Sequence, residues 1–366
     1  MLHEPWFGDA EAAAVSECIR SGWASTSGPF VDRFEARLGD ITGAPHVIAC
    51  VNGTAALHVA LMLAGVKPGD EVVVPALTFV ATAAAVRYCG AIPHFVDVAE
   101  DDFGVDPDKL RAYLFGIGER RDGAWINRAS GRRIAALLPV HCFGYVCRIA
   151  QILELAREFG IPVVEDAAEA LGSTLGGRAA GTFGALGALS FNGNKIVTTG
   201  GGGAVVTADP ELAKRARHLT TTAKLPHRWA FIHDELGYNY RMPSLNAALG
   251  VAQLERFDAM IARKTKLHEA YRASFAGMPG VRLVEGRPGT APNHWLNTIV
   301  ISGARRDRDA ILDESHARGF MLRPVWELLP TLPHFADCPN DGFAAARMLA
   351  DRTLSLPSSE ILGANL

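Results

Sequence analysis

The chain has 366 residues, of which 49% are hydrophobic and 20% charged, with 36 Lys plus Arg against 39 Asp plus Glu. This balance excludes a disordered polymer, and a net charge of −3 offers no general basic field for nucleic acid or an anionic membrane. By length the chain could hold two or three domains, and a small molecule is the default ligand.

The N-terminal stretch "MLHEPWFGDAEAAAVSECIR" is acidic and has no basic-then-apolar signal. No apolar run reaches transmembrane length, so the expected location is the cytoplasm. Cys18, Cys50, Cys89, Cys142, Cys147 and Cys338 form no CxxC pair, which suits reduced, buried thiols rather than disulfides or a zinc site. From residue 46 the chain alternates short apolar runs with alanine-rich amphipathic ones, a βαβ rhythm. Strands are predicted at "HVIACV" from 46, "EVVVPA" from 71, "IPHFVDV" from 92, "IAALLPVH" from 134, "IPVVED" from 161, "GALSFN" from 187 and "GAVVTA" from 203. Most are apolar on both faces, as buried, mainly parallel strands should be. Helical runs fall between them at 54–64, 107–115 and 148–159.

Residues 116–134 interrupt this rhythm with a polar, arginine-rich insertion that reads as a hairpin. It is either a solvated excursion or, through Arg120, Arg121, Arg128, Arg132 and Arg133, a receiver for a nucleotide diphosphate. Near residue 245 one long helical pattern begins, with Leu245, Leu249, Leu254, Phe257 and Ile261 at helical spacing. A smaller α+β region follows from about 280, with strands expected in "HWLNTIVI" and "MLRPVW", and "SSEILGANL" reads as a simple tail. The predicted architecture is therefore α/β. Residues 1–250 form a large unit around a mostly parallel seven-stranded sheet flanked by helices, and 251–366 form a small α+β unit entered by a long connecting helix.

Ligands of doubly wound proteins sit outside the carboxyl ends of the strands, which draws three stretches together. In "VNGTAALHVAL", Gly53 and Thr54 stand where a strand turns into a helix, so backbone N–H groups could receive a phosphate, although Gly-Thr also simply starts helices. In "IPVVEDAAEALGS", a buried strand ends in Glu165 and Asp166, and a buried carboxylate needs a cation or hydrogen-bond donors. A protonated heterocycle nitrogen would serve; a helix N-terminal acid pair is the alternative. In "LSFNGNKIVTTGGGGAVVTAD", Lys195 lies between a β-prone segment and four glycines, five residues after Ser190. It is either a solvated loop charge or a nucleophile, and an ordinary lysine with a pKa of about 10.4 needs a special setting, such as an imine, for covalent work. Rival motifs fail: "GALSFNGNK" does not fit GxxxxGK[ST], "GTFGALG" lacks GxGxxG spacing, and no HExxH occurs.

These stretches, with "PVHCFG" and "GYNYRMPSLNAALG", resemble the fold-type I pyridoxal-phosphate enzymes, and among them the DegT/DnrJ/EryC1/StrS sugar aminotransferases, from about Trp6 to Pro357. The resemblance implies pyridoxal 5'-phosphate as cofactor, an amino-acid donor, expected to be glutamate, and a keto-sugar nucleotide acceptor. It implies that Lys195 forms the imine with the cofactor and carries the proton, and that Asp166 pairs with the pyridine nitrogen. Phe79 would cover the ring, Gly53, Thr54 and Ser190 would hold the phosphate, and Asn239 would reach the phosphate of a second subunit, giving a homodimer with shared sites. Glu169 stands where many members carry Gln or His. It is expected one helical turn beyond Asp166, against the cofactor or substrate. "EDAAEALGS", "FNGNKIVTTGGGG", "RPVW" and the insertion look most like the subgroup that aminates UDP-4-keto-6-deoxy-N-acetylhexosamines toward legionaminic acid. "YVCRIAQ" departs from the commoner "HPxDxxxI". The rivals within enzymes are an aminotransferase acting at another keto-sugar position or on a non-sugar substrate such as an amino acid, and a sugar dehydratase, whose branch carries His in place of this lysine, so that Lys195 argues against it. A cofactor-binding protein without catalysis is the rival of another class.

Overall fold

The computed structural model describes residues 2–366. The seven predicted strands all form: β1 (His46–Cys50), β2 (Glu71–Pro75), β3 (Ile92–Val96), β4 (Ile134–Leu137), β5 (Val164–Asp166), β6 (Leu186–Ser190) and β7 (Gly203–Thr207). Their spatial order is β3-β2-β4-β5-β6-β7-β1. A three-stranded and a four-stranded half meet where β4 and β5 are bridged in parallel at Leu137 with Val163 and Val140 with Asp166. Only β7 runs against its neighbours, β6 and β1. Every residue of β2, β4, β5 and β7 is buried, because helices cover both faces of the sheet.

The glycine run earns its composition residue by residue. Gly200 adopts φ +76°, in the left-handed region. A Cβ on Gly202 would lie 2.2 Å from Thr199 Oγ1, and one on Gly203 would lie 2.4 Å from the Asn52 backbone. The run therefore lets β7 press against the start of the helix Gly53–Leu63, the segment proposed to receive a phosphate.

The insertion is a hairpin, Gly118–Arg121 against Ala124–Asn127, turning through Asp122 and Gly123 at positive φ. Its arginines are engaged locally: Arg120 donates to the Glu158 carbonyl, Arg128 to the carbonyls of Gly116 and Gly118, and Arg133 to Asp70. Asn127 and Ser130 donate to the buried Glu71 carboxylate, which also binds His94. The hairpin thus staples the sheet edge, and it does not line the cavity described below.

The expected single connecting helix is two helices, Ser244–Glu255 and Phe257–Phe275, broken at Arg256 (φ −97°, ψ 2°). The break is tertiary in origin. The Arg256 guanidinium pairs with Glu11 and Glu360 and lies 4.0 Å from the Trp6 ring, binding both ends of the chain to one point. The first helix packs on the helices Asp9–Ser21 and Pro29–Thr42, and the second on the short helix Glu360–Ala364. The last residues are therefore no loose tail: Ser358 is buried and donates from Oγ to the carbonyl of Leu356 while accepting the Asn297 N–H. In the C-terminal region, antiparallel strands run in the order Val281–Leu283, Asn297–Ile301, Thr353–Leu356, Arg323–Pro324, around Ile299, Ile301, Leu354 and Leu356. Among the described residues, no helix is long and apolar enough to cross a membrane.

Candidate active site

A cavity of about 320 Å³ opens at the carboxyl ends of β1, β2, β5 and β6. Gly53, Thr54, Phe79, Asp166, Glu169, Ser190 and Lys195 all line it. A larger, shallower groove of about 730 Å³ lies along the helix Pro29–Thr42, but its polar wall is spent on the Glu35 to Arg217 ion pair.

At the end of β1, Asn52 caps the helix Gly53–Leu63 by accepting the Ala55 N–H at 2.7 Å. The N–H groups of Gly53 and Thr54, in the first turn, have no acceptor within the helix and carry the positive end of its dipole. Gly53 is required there, because a Cβ would sit 2.8 Å from Cβ of Ser190, which delivers its hydroxyl from the end of β6. Backbone donors and a hydroxyl around one point form an anion cradle.

At the end of β5, adjacent carboxylates have opposite duties. Glu165 accepts the N–H groups of Gly181, Phe183 and Gly184 and binds His141 Nε2 at 2.8 Å, which ties down the following loop. Asp166 faces the cavity. It accepts the Thr82 hydroxyl at 2.8 Å and the Ala168 N–H at 3.1 Å, both neutral donors. Burial pushes its carboxyl above the ordinary range, against the pull of those bonds and of Lys195. A protonated ring nitrogen would supply the cation that this anion lacks, so the residues present fit pyridoxal 5'-phosphate at both its phosphate and its ring.

Lys195 Nζ lies 3.3 Å from Glu169 Oε1 and 4.0 Å from the centroid of the Trp295 ring. Glu169 is not on a helix, as its spacing from Asp166 had suggested. The chain turns irregularly after Asp166, and Glu169 Oε2 reaches back to accept the Phe143 N–H at 2.7 Å. Burial raises the Glu169 carboxyl too, opposed by Lys195. The atypical "YVCRIAQ" follows a short turn, Cys142–Gly144, in which Phe143 takes φ +56°. Trp326 stacks on Phe143 with centroids 4.9 Å apart and stands 6.4 Å from Phe79, so aromatic rings wall the entrance.

Asn239 is exposed and bridges Thr221, and it does not reach the cavity of its own chain. The preceding loop exposes Trp229, Phe231 and Leu236 by 73%, 80% and 79%. Nearby, His218, Asp234 and Glu235 bring donor atoms close together, but Arg215 takes up the Glu235 carboxylate in an ordinary ion-pair network.

Thr82, Trp295 and Trp326 were not among the residues expected from the sequence. Thr82 had a usable signal, since it follows Phe79 by one turn of the same helix. Trp326 ends the "RPVW" stretch of the resemblance, but no role was attached to it, and Trp295 had no signal; both reach the cavity from about 100 residues or more beyond Lys195.

Residues 6–365 match the DegT/DnrJ/EryC1/StrS aminotransferase family. The chain is similar to the GDP-perosamine synthase of Caulobacter vibrioides, with 37% identity over 347 residues covering 94% of this chain and 89% of that protein. It is also similar to two solved structures. Spr1654 of Streptococcus pneumoniae in its PLP form has TM-score 0.87 and 25% identity, covering 98% and 93% of the two chains. DesI, solved in the presence of its TDP-sugar product, has TM-score 0.84 and 30% identity, covering 97% and 86%.

Proposed function

Since the chain belongs to the DegT/DnrJ/EryC1/StrS aminotransferase family, whose members are pyridoxal-phosphate-dependent, we propose that it carries an amino group from glutamate to a keto-sugar nucleotide by a ping-pong route centred on Lys195. When bound, pyridoxal 5'-phosphate supplies the aldehyde that carries the amino group and a ring that stores an electron pair. The chain's own residues do the rest. Lys195 is the nucleophilic amine that holds the cofactor and afterwards moves the proton at the reacting carbon. Asp166, oriented by Thr82, keeps the ring nitrogen protonated. Gly53, Thr54 and Ser190 hold the phosphate, Phe79 covers the ring, and Glu169 stands against the cofactor's ring hydroxyl or the substrate. Residues 1–250 serve as the cofactor-binding unit, and 251–366 bring Trp295 and Trp326 over the cavity. Asn239 serves the phosphate of a second subunit, so the working form is a homodimer with shared sites.

The observation that carries this reading is the meeting, in one cavity, of Lys195, an unpaired buried Asp166 and an anion cradle. Two acceptor classes follow from different observations. The motif resemblance points to a UDP-4-keto-6-deoxy-N-acetylhexosamine, and the 37% identical GDP-perosamine synthase favours a GDP-linked keto sugar. The test is a panel of UDP-, GDP- and TDP-linked keto sugars supplied with glutamate and scored for amino-sugar formation. Amination of one nucleotide class assigns the acceptor, and turnover of none with any donor removes the reading.

A further inference from the structure

Lys195 does not project freely into the cavity. Its Nζ is gripped between a carboxylate oxygen at 3.3 Å and an aromatic face at 4.0 Å. The two walls come from distant parts of the chain, and each is fixed from behind. Glu169 is anchored by the Phe143 N–H. The Trp295 indole N–H donates at 2.7 Å to the carbonyl of Asn194, the residue before the lysine. The Trp295 carbonyl in turn accepts from the buried Lys264 Nζ at 3.0 Å. A lysine needed only as a tether for a cofactor would not require this arrangement.

The other charged or titratable groups facing the pair are Asp166, which precedes Glu169 on its segment, Cys142, which feels Glu169, and His3, which feels Lys195. None of them is within hydrogen-bonding distance of Nζ, so Glu169 is the carboxylate that pairs with it directly.

We propose that Glu169 is the resident counter-ion of Lys195 whenever the amine is free, and that Trp295 is the positioning residue that holds the amine against it. Between carboxylate and indole face the lysine is kept as an ammonium, which withholds its lone pair from attack. The inference rests on the amino-transfer role proposed for Lys195, but its test requires neither cofactor nor substrate.

The experiment is trace acetylation of the apoprotein with acetic anhydride from neutral to alkaline pH, with Lys195 read by peptide mass spectrometry against exposed lysines in the same chain. Glu169→Gln keeps an acceptor for the Phe143 N–H and removes the charge. It should raise Lys195 acetylation near neutral pH by about tenfold, because the carboxylate that favours the unreactive ammonium is gone. The two curves should converge at alkaline pH, where the amine is neutral in both proteins. Glu169→Asp should fall between wild type and Gln. Trp295→Leu should raise the neutral rate about two- to tenfold, with Trp295→Phe restoring it, because the ring face favours the ammonium. Superimposable profiles for wild type and Glu169→Gln, or a rate change equal at every pH, would overturn the proposal. A shifted profile in a protein that releases no 2-oxoglutarate from glutamate would leave the ion pair standing and remove the aminotransferase reading. Normal release with an unshifted profile would do the opposite.

Discussion

Asp166→Asn alters the charge of a buried group and little of its shape. In the fold, Asp166 is 4% exposed and among the described residues its hydrogen-bond donors are the Thr82 hydroxyl and the Ala168 N–H, so an amide can be held in the same place. What disappears is an anion beside the proposed ring nitrogen. Two unit charges about 4 Å apart interact by about 4 kcal/mol at an effective dielectric of about 20, or roughly 10³-fold in rate if the whole interaction is used in the transition state. The assay is the glutamate half-reaction, followed as 2-oxoglutarate release, with cofactor affinity measured separately by fluorescence titration. The rate should fall by about 10²- to 10³-fold, and cofactor affinity by about tenfold or less, because the phosphate cradle is untouched. A stability measurement gives an independent sign. Because burial raises the folded-state pKa of this carboxyl, ionised Asp166 destabilises the fold once pH exceeds that pKa, and the penalty is absent below the unfolded pKa. The apo variant should therefore melt no lower than wild type at neutral pH. A variant with wild-type turnover, or an apo variant that melts well below wild type, would refute the argument and return Asp166 to a structural role.

Mixing Lys195→Ala with Asn239→Asp subunits under exchange should restore activity, once each is shown to be inactive alone, because a mixed dimer with shared sites has one intact site; demonstrated exchange without recovery would place both residues in one subunit's site. Replacing Arg121 and Arg132 by Ala should leave the KM for the sugar nucleotide unchanged at low salt, since the hairpin lies outside the cavity; a raised KM would give it a nucleotide role. Burial lowers the Lys264 pKa to about 7, so its folded form releases a proton that the unfolded chain keeps up to its ordinary value near 10.4. Chemical denaturation should therefore show stability rising between about pH 7 and 10 in wild type, with that slope reduced in Lys264→Met; equal slopes would contradict the assignment.

The sheet could be read from the sequence because its strands are buried on both faces and separated by amphipathic helices, a pattern local to each segment. That Gly53, Thr54, Asp166 and Lys195 gather in one cavity could be read for a related reason, since each sits at or just beyond a strand end, where a doubly wound sheet gathers its ligands, whereas Ser190 entered through the family resemblance. The helix break at Arg256 could not be read that way. Apolar residues keep helical spacing straight through it, and the break is held by Glu11 and Glu360 from opposite ends of the chain. Glu169 looked helical because Ala, Glu and Leu favour helix in "EDAAEALGS", yet the Phe143 N–H and Lys195 draw it into an irregular turn. Trp295 and Trp326 are invisible to any reading confined to neighbours in sequence, because they reach the cavity from about 100 residues or more beyond Lys195.

The most direct test of the central claim is transfer of label from [15N]glutamate through the holoprotein to a keto-sugar nucleotide, with Lys195→Ala in parallel. Wild type should give an amino-sugar nucleotide carrying 15N, one for each 2-oxoglutarate released. The Lys195→Ala protein, folded by circular dichroism, should give neither. Unlabelled product, 2-oxoglutarate without amino sugar across the whole panel, or undiminished transfer in Lys195→Ala would contradict the account.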